Sequence, residues 1–259
     1  MNIYIVVAHP EPTSFNNSLA DTAANTFESA GHDVKISDLY TNNFDPCEHA
    51  RHFKNRKNDR RFDVQSEQRF GYENEWLATA VKDELAAIHW ADLLILQFPL
   101  WWFGAPAMLK GWMDRVFVYG GLYSSEKRFE HGVCRGKKVL LSVTTGASED
   151  ECAPNGREAN TQLLLWPIQY AFRYVGFDVL KAYLAHGVSE GCFEEGNNLE
   201  TVLADFRSFC SDIDRVAVIP FNTSTDWDEQ GQLKPQAQNF HPFIQHPHDD
   251  TLADLCDND

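Results

Sequence analysis

Three stretches, residues 2–8, 93–98 and 139–144, are apolar at nearly every position and rich in Val, Ile and Leu. A strand with one face in water alternates apolar and polar residues, so a strand that does not alternate has to be covered on both faces. Between these runs lie segments whose apolar residues recur every three or four places. Leu19, Ala23, Ala24 and Phe27 do so within 17–29, and Trp76, Leu77, Ala80, Val81, Leu85 and Ile88 within 73–90. Further helices are expected from Pro106 to about residue 118, over 159–175, and over roughly 199–216. Gly31 and Gly176 stand where helices commonly end. Two more strands are expected: 33–39, where Val34 and Ile36 alternate with polar residues, and 179–184. Five strands alternating with helices define an α/β architecture, a doubly wound parallel sheet with helices on both faces.

Two segments fall outside this rhythm. Residues 47–71 are charge-rich and irregular and read as an inserted excursion. After residue 216 periodicity is lost, so the chain divides into a domain at 1–216 and an irregular acidic C-terminal extension at 217–259 that ends in repeated aspartates. The whole sequence carries 38 acidic against 22 basic residues, a net charge of −16. That charge gains nothing from phosphate counterion release, so neither nucleic acid nor an anionic membrane surface is an expected partner. The uncharged run 93–109 is interrupted by Pro99, Gly104 and Pro106 and cannot be a membrane span. The first residues lack a basic leader, and six dispersed cysteines (Cys47, Cys134, Cys152, Cys192, Cys210, Cys256) suit free thiols in a reducing cytoplasm.

In such a sheet, ligands bind beyond the carboxyl ends of the strands. The loop after the first strand runs from His9 to Asn16. It has neither the dinucleotide fingerprint nor the phosphate-loop pattern, but it sets Thr13, Ser14 and Asn16 at a helix mouth. The positive end of the helix dipole makes that an anion site or, more simply, a capped helix. The loop after the third strand, Pro99-Leu100-Trp101-Trp102-Phe103-Gly104-Ala105-Pro106, carries three consecutive large aromatics. These either fill the core or wall a planar ligand. The turn Thr144-Thr145-Gly146-Ala147-Ser148 offers backbone donors to a ring edge. Their coincidence at one end of one sheet favours a flavin site.

The motifs Ala8-His9-Pro10, Thr13-Ser14-Phe15-Asn16, Ser37-Asp38-Leu39-Tyr40 and Gln97-Phe98-Pro99-Leu100 resemble those of the NAD(P)H quinone dehydrogenase family. So do Trp102-Phe103-Gly104, Leu109-Lys110-Gly111-Trp112, Arg115-Val116-Phe117, Thr144-Thr145-Gly146 and Leu165-Trp166-Pro167-Ile168-Gln169. The resemblance spans roughly residues 2–185 and leaves the C-terminal ~45 residues unplaced. It implies a flavodoxin-like fold with five strands in the order 2-1-3-4-5, and a homodimer with the active site between subunits. It also implies tightly bound FAD, with FMN as the alternative. By the same resemblance, His9, Thr13, Phe15 and Asn16 hold the cofactor's phosphates and ribityl chain. Pro99, Leu100, Trp102 and Phe103 line the isoalloxazine, and Thr144, Thr145, Gly146 and Ala147 bond its pyrimidine edge. Tyr123 falls at the substrate pocket.

One departure stands out. Animal members of the family place a Tyr and a His after the fourth strand to stabilise charge on the reduced flavin; this chain has Cys152 and Glu158 there. Arg157 is the expected substitute cation, with Glu158 orienting it. The implied activity is two-electron, ping-pong reduction of quinones or related electrophiles by NADH or NADPH, passing hydride through flavin N5. The alternative is a flavin-binding regulatory subunit, ancillary to a membrane transporter and with little turnover. The basic stretch at residues 51–61 either steers cofactor phosphates or is a solvated loop. His241, His246 and His248 are too loosely spaced for an expected metal. The helix after Pro106, with Met108, Trp112, Met113 and Val116, looks too apolar for one sheet to cover and is a second reason to expect a dimer.

Overall fold

The computed structural model describes residues 1–188 and 199–246. Four strands run parallel: β1 (Asn2–Val7), β2 (Asp33–Asp38), β3 (Leu93–Pro99) and β4 (Lys138–Thr144). A fifth lies at the edge in two pieces, β5 (Asp178–Val179) and β6 (Tyr183–Ala185), both paired to β4. The order is β2-β1-β3-β4-β5, the flavodoxin-like order expected from the sequence. Residues 180–182, expected to continue the strand, form the gap. There Leu180 bridges antiparallel to Val218, and the Lys181 N–H donates to the Ala217 carbonyl at 2.8 Å.

The helices are α1 (Phe15–Ser29), α2 (Val64–Glu73), α3 (Thr79–Trp90), α4 (Ala107–Val116), α5 (Thr161–Leu164), α6 (Trp166–Val175) and α7 (Leu199–Ser211). Strand alternation sorts the core. Ile3, Ile5, Val7, Leu93 and Ile95 pack with Leu19, Ala23 and Phe27 of α1 and Phe206 and Cys210 of α7. On the opposite face Tyr4 meets Glu84 of α3, which also accepts from Ser37 Oγ at 2.6 Å and from Trp112 Nε1 of α4 at 2.7 Å. Burial and the Glu84 carboxylate push the Tyr4 phenol well above its usual range. None of the described helices is long and apolar enough to cross a membrane.

Several boundaries differ from the sequence reading. The excursion at 47–71 contains most of α2, capped by Asp63 Oδ1 accepting from Ser66 N at 2.9 Å. The helix expected over 73–90 begins only at Thr79. The helix expected over 159–175 breaks at Leu165, just before Trp166-Pro167, because a proline supplies no N–H to the preceding turn. The last helix stops at Ser211, followed by a short 3-10 turn, Ile213–Arg215. Trp112, Met113 and Val116 are already buried within the chain, so the apolarity of α4 gives no reason for a dimer. Two compact units divide at Val218/Ile219. In the second, Thr223 and Asp226 form a reciprocal capping box and Trp227 bridges antiparallel to Leu233. His248 and the acidic terminus lie outside the described residues, as do Cys192 and Cys256; Cys47, Cys134, Cys152 and Cys210 are free thiols.

Candidate active site

The register aligns the strand ends: Val7 pairs with Gln97, and Pro99 with Thr144. The Leu100 N–H then donates to the Thr144 carbonyl at 2.8 Å, so the loops after β3 and β4 leave the sheet side by side. Beyond them lie two neighbouring cavities that share Leu100 and Gly146. One, about 450 Å³, is lined by His9, Ser14, Phe15, Asn16, Pro99 and Thr144 among others. The other, about 340 Å³, is lined by Trp102, Phe103, Thr145, Ala147, Cys152 and Glu158. The three loops singled out in the sequence therefore meet at one rim.

Trp101 and Gly104 exchange both backbone hydrogen bonds at 3.0 Å, closing a two-residue turn around Trp102 and Phe103. Both central residues have positive φ, 50° and 61°. A tight hairpin turn of this hand favours Asn-Gly, because a side chain in the left-handed region is strained by about 1–3 kcal/mol per residue. Here the positions hold two large aromatics, Trp102 95% exposed and Phe103 53% exposed. Neither donates its backbone N–H to another described residue. The turn thus carries strain and displays apolar surface, and neither serves the core.

Behind the turn a polar brace joins three elements. Gln97 Nε2 donates to Asn16 Oδ1 at 2.9 Å, and Asn16 Nδ2 donates to Thr144 Oγ1 at 3.1 Å. All three side chains are buried, and Gln97 Oε1 has no partner among the described residues. Ser14 caps α1, with Oγ accepting from Asn17 N at 3.3 Å. The His9 ring lies 5.9 Å from that of Trp101, centroid to centroid. Thr13 lines neither cavity. Its N–H and hydroxyl both donate to Glu11 Oε1, at 3.0 and 2.7 Å, and these bonds hold the Glu11 carboxyl below its usual range.

The loop after β4 is tied to the chain leaving β6. Gly187 N–H donates to the Ala147 carbonyl and Val188 N–H to the Thr145 carbonyl, both at 2.8 Å. Thr145 Oγ1 donates to the Ala147 carbonyl at 2.9 Å and also lies 2.9 Å from His186 Nδ1. Cys152 Sγ donates to the same hydroxyl at 3.9 Å. Burial pushes the half-buried His186 imidazole below the usual histidine range, and Glu149 pulls the other way. The sequence reading passed over His186, although it follows the fifth strand at the carboxyl rim, where the switch-point rule directs attention.

The residues expected to be catalytic are not brought together. Glu158 lines the 340 Å³ cavity. Arg157 does not: its side chain is 78% exposed and is engaged by Glu151 at 2.6 Å and Glu158 at 3.6 Å. Two carboxylates hold the guanidinium at the surface, so no cation is brought to the cavity at that position. Tyr123 lies in a separate groove of about 680 Å³ with Phe117, Tyr170 and Tyr174, where Gln65 Nε2 donates to its hydroxyl at 3.4 Å. In the basic stretch Arg51 pairs with Asp45 and Arg56 with Glu67, while Lys57, Arg60 and Arg61 are exposed around another concavity. Among the described residues, no group of three or more His, Cys, Asp or Glu side chains is placed to hold a metal ion.

Fold and rim together define a flavodoxin-like protein, and the description "Flavodoxin-like fold" matches residues 1–209. The chain belongs, within that fold, to the NAD(P)H quinone dehydrogenase family. It is 37% identical over 186 residues to NAD(P)H dehydrogenase (quinone) 1 of Cavia porcellus, covering 71% of this chain and 68% of that one. It is 34% identical over 235 residues to a ribosyldihydronicotinamide dehydrogenase-like protein of Penicillium crustosum, covering 87% and 86%. A Klebsiella pneumoniae structure assigned as a quinone reductase superposes with a TM-score of 0.83 at 28% identity, covering 91% of this chain and 94% of that chain. These last two shares exceed what residues 1–218 could supply. The C-terminal unit, unplaced from sequence, therefore has counterparts in part.

Proposed function

We propose that this chain is a flavin-dependent oxidoreductase that uses NADH or NADPH to reduce quinones or related planar electrophiles by two electrons. The observation that carries the reading is the strained, exposed Trp102-Phe103 turn beside two cavities that share Leu100 and Gly146 at the carboxyl ends of β3 and β4. The residues present fit a long cofactor with an anionic arm and a planar head. His9, Ser14, Phe15 and Asn16 surround the arm at the start of α1, where the dipole favours an anion. Pro99, Leu100, Trp102 and Phe103 form the apolar wall for the head, and Thr144, Thr145, Gly146 and Ala147 its polar edge. The unpartnered Gln97 Oε1 behind them is a further buried acceptor at the rim. Thr13 acts through Glu11, by fixing the loop.

A bound flavin supplies the electron transfer between nicotinamide and acceptor, and the chain supplies position and electrostatic support. We assign FAD as the cofactor, a homodimer as the working form and the cytoplasm as its place. Tyr123 supports the dimer: its groove shares no lining residue with the two cavities, and a second subunit lets one groove serve its partner's cavity. The transporter-ancillary reading gains nothing from relatives with dehydrogenase names. Purification decides the matter. The protein should be yellow, release FAD on denaturation and oxidise NADH or NADPH in the presence of a quinone. A colourless protein, or a yellow one inert with every quinone and both nicotinamides, overturns the reading.

A further inference from the structure

Converting a quinone to a quinol adds two hydrogens. One comes with the electron pair from reduced nicotinamide; the other is a proton that protein or water has to provide. Within the cavity lining, Thr145 carries a hydroxyl that also leads toward a second polar concavity. Its hydroxyl is 2.9 Å from His186 Nδ1 and accepts from Cys152 Sγ at 3.9 Å. His186 also borders a different concavity of about 450 Å³, shared with Glu149 and Asp205. The two backbone bonds from Gly187 and Val188 to Ala147 and Thr145 fix the imidazole against the hydroxyl. An imidazole between a hydroxyl on one side and a polar concavity on the other can take a proton at one nitrogen as it releases one at the other.

We propose that His186 relays the proton consumed in acceptor reduction, through the Thr145 hydroxyl, from the concavity it borders into the Trp102–Cys152 cavity. This rests on the quinone reductase reading above. The step balances. The Thr145 hydroxyl, which donates to the Ala147 carbonyl at rest, turns to the acceptor oxygen; its O–H bond breaks as the proton passes there, the Nδ1 proton of His186 restores the hydroxyl, and Nε2 takes one from water. The net transfer is one proton from solvent to acceptor, with the electron pair supplied by reduced nicotinamide; the imidazole is left as its Nε2–H tautomer and returns to Nδ1–H, by proton exchange with water or a turn of the ring, before the next turnover. Thr145 reaches the acceptor; His186 acts through it.

The test compares wild-type holoprotein with His186→Gln, reduced by one equivalent of NADH and mixed rapidly with benzoquinone, in H₂O and D₂O. The variant is expected to keep its flavin content and its KM for NADH. Acceptor reduction should slow on the order of 10²-fold, the low end for a positioned proton donor. Added imidazole should recover much of that loss, and the solvent isotope effect should change. Independently of turnover, the ring ¹⁵N signals of His186 in cofactor-free protein should move on Thr145→Val. A variant as fast as wild type, a loss that imidazole does not recover, or unmoved ring signals overturns the relay. A wild-type protein that binds flavin yet reduces no quinone overturns the functional reading and the relay with it, whereas an active wild type matched by His186→Gln overturns the relay alone.

Discussion

Trp112 and Trp102 lie ten residues apart in the chain and in opposite circumstances. Trp112 is fully buried on α4, edge-on to Phe117, and its indole N–H donates to Glu84 at 2.7 Å. Trp102 sits on left-handed backbone and is 95% exposed. In the sequence Trp102 is expected to fill the core or wall a ligand, and Trp112 to belong to a helix too apolar for one sheet to cover. The difference lies in what surrounds each one. The sheet, α3 and the Glu84 carboxylate satisfy every part of Trp112, so its apolarity says nothing about a partner. Among the described residues nothing covers Trp102, whose backbone is strained as well. A residue that is both strained and unburied contributes no stability where it stands, which supports the ligand-binding reading proposed for this turn.

The sharpest way to break the contrast is Trp112→Ala. It should destabilise the fold by about 3–5 kcal/mol, because it removes a packed aromatic and leaves the buried Glu84 without one of its donors. Chemical denaturation measures this, and a loss under 1 kcal/mol would mean the core there relaxes freely. The opposite sign is expected when Trp102→Asn is combined with Phe103→Gly. Relief of the left-handed strain should raise stability by about 1–3 kcal/mol while flavin retention and acceptor turnover fall. Unchanged stability with full flavin retention would show that the turn is neither strained nor functional. Phe103→Ser alone should weaken flavin retention or turnover with little change in melting temperature; a lower melting temperature at wild-type flavin content and turnover would make it a packing residue. Smallest is Arg157→Ala. Its pairs with Glu151 and Glu158 are at the surface, so stability should stay within about 0.5 kcal/mol. The flavin midpoint potential should not move, and a lowered potential would return the guanidinium to the ring.

The most legible strands, β1, β3 and β4, are buried on both faces, so few polar residues blur their pattern. Helix α2 was hidden because its buried residues are Glu67, Gln68 and Gly71. Glu67 accepts from Lys57 N at 2.7 Å and Asn58 N at 3.2 Å and pairs with Arg56, so this helix packs by polar contacts that periodicity does not register. The break before Trp166-Pro167 was written in the proline but overruled by the apolar spacing around it. At the site, the loops after β1, β3 and β4 could be placed by topology alone. The exclusion of Arg157 could not, because it depends on which carboxylates lie nearest in space. The position of His186 after the fifth strand was open to the same rule, but its contact could not be read, because the hydroxyl it meets lies forty-one residues away in the chain.

The interrupted fifth strand has a consequence for how molecules of this protein meet one another. An open parallel sheet ends in rows of backbone donors and acceptors that can recruit a strand from another chain. On the β2 side the boundary carries Lys35, its ammonium 4.1 Å over the Trp90 ring, a charged side chain that discourages docking. On the β5–β6 side the chain folds back on itself: Val218 bridges Leu180, and the Ala217 carbonyl accepts from the Lys181 N–H at 2.8 Å. The break in the strand is thus where the molecule caps its own border, giving the docking position to its own backbone and denying it to a neighbour's.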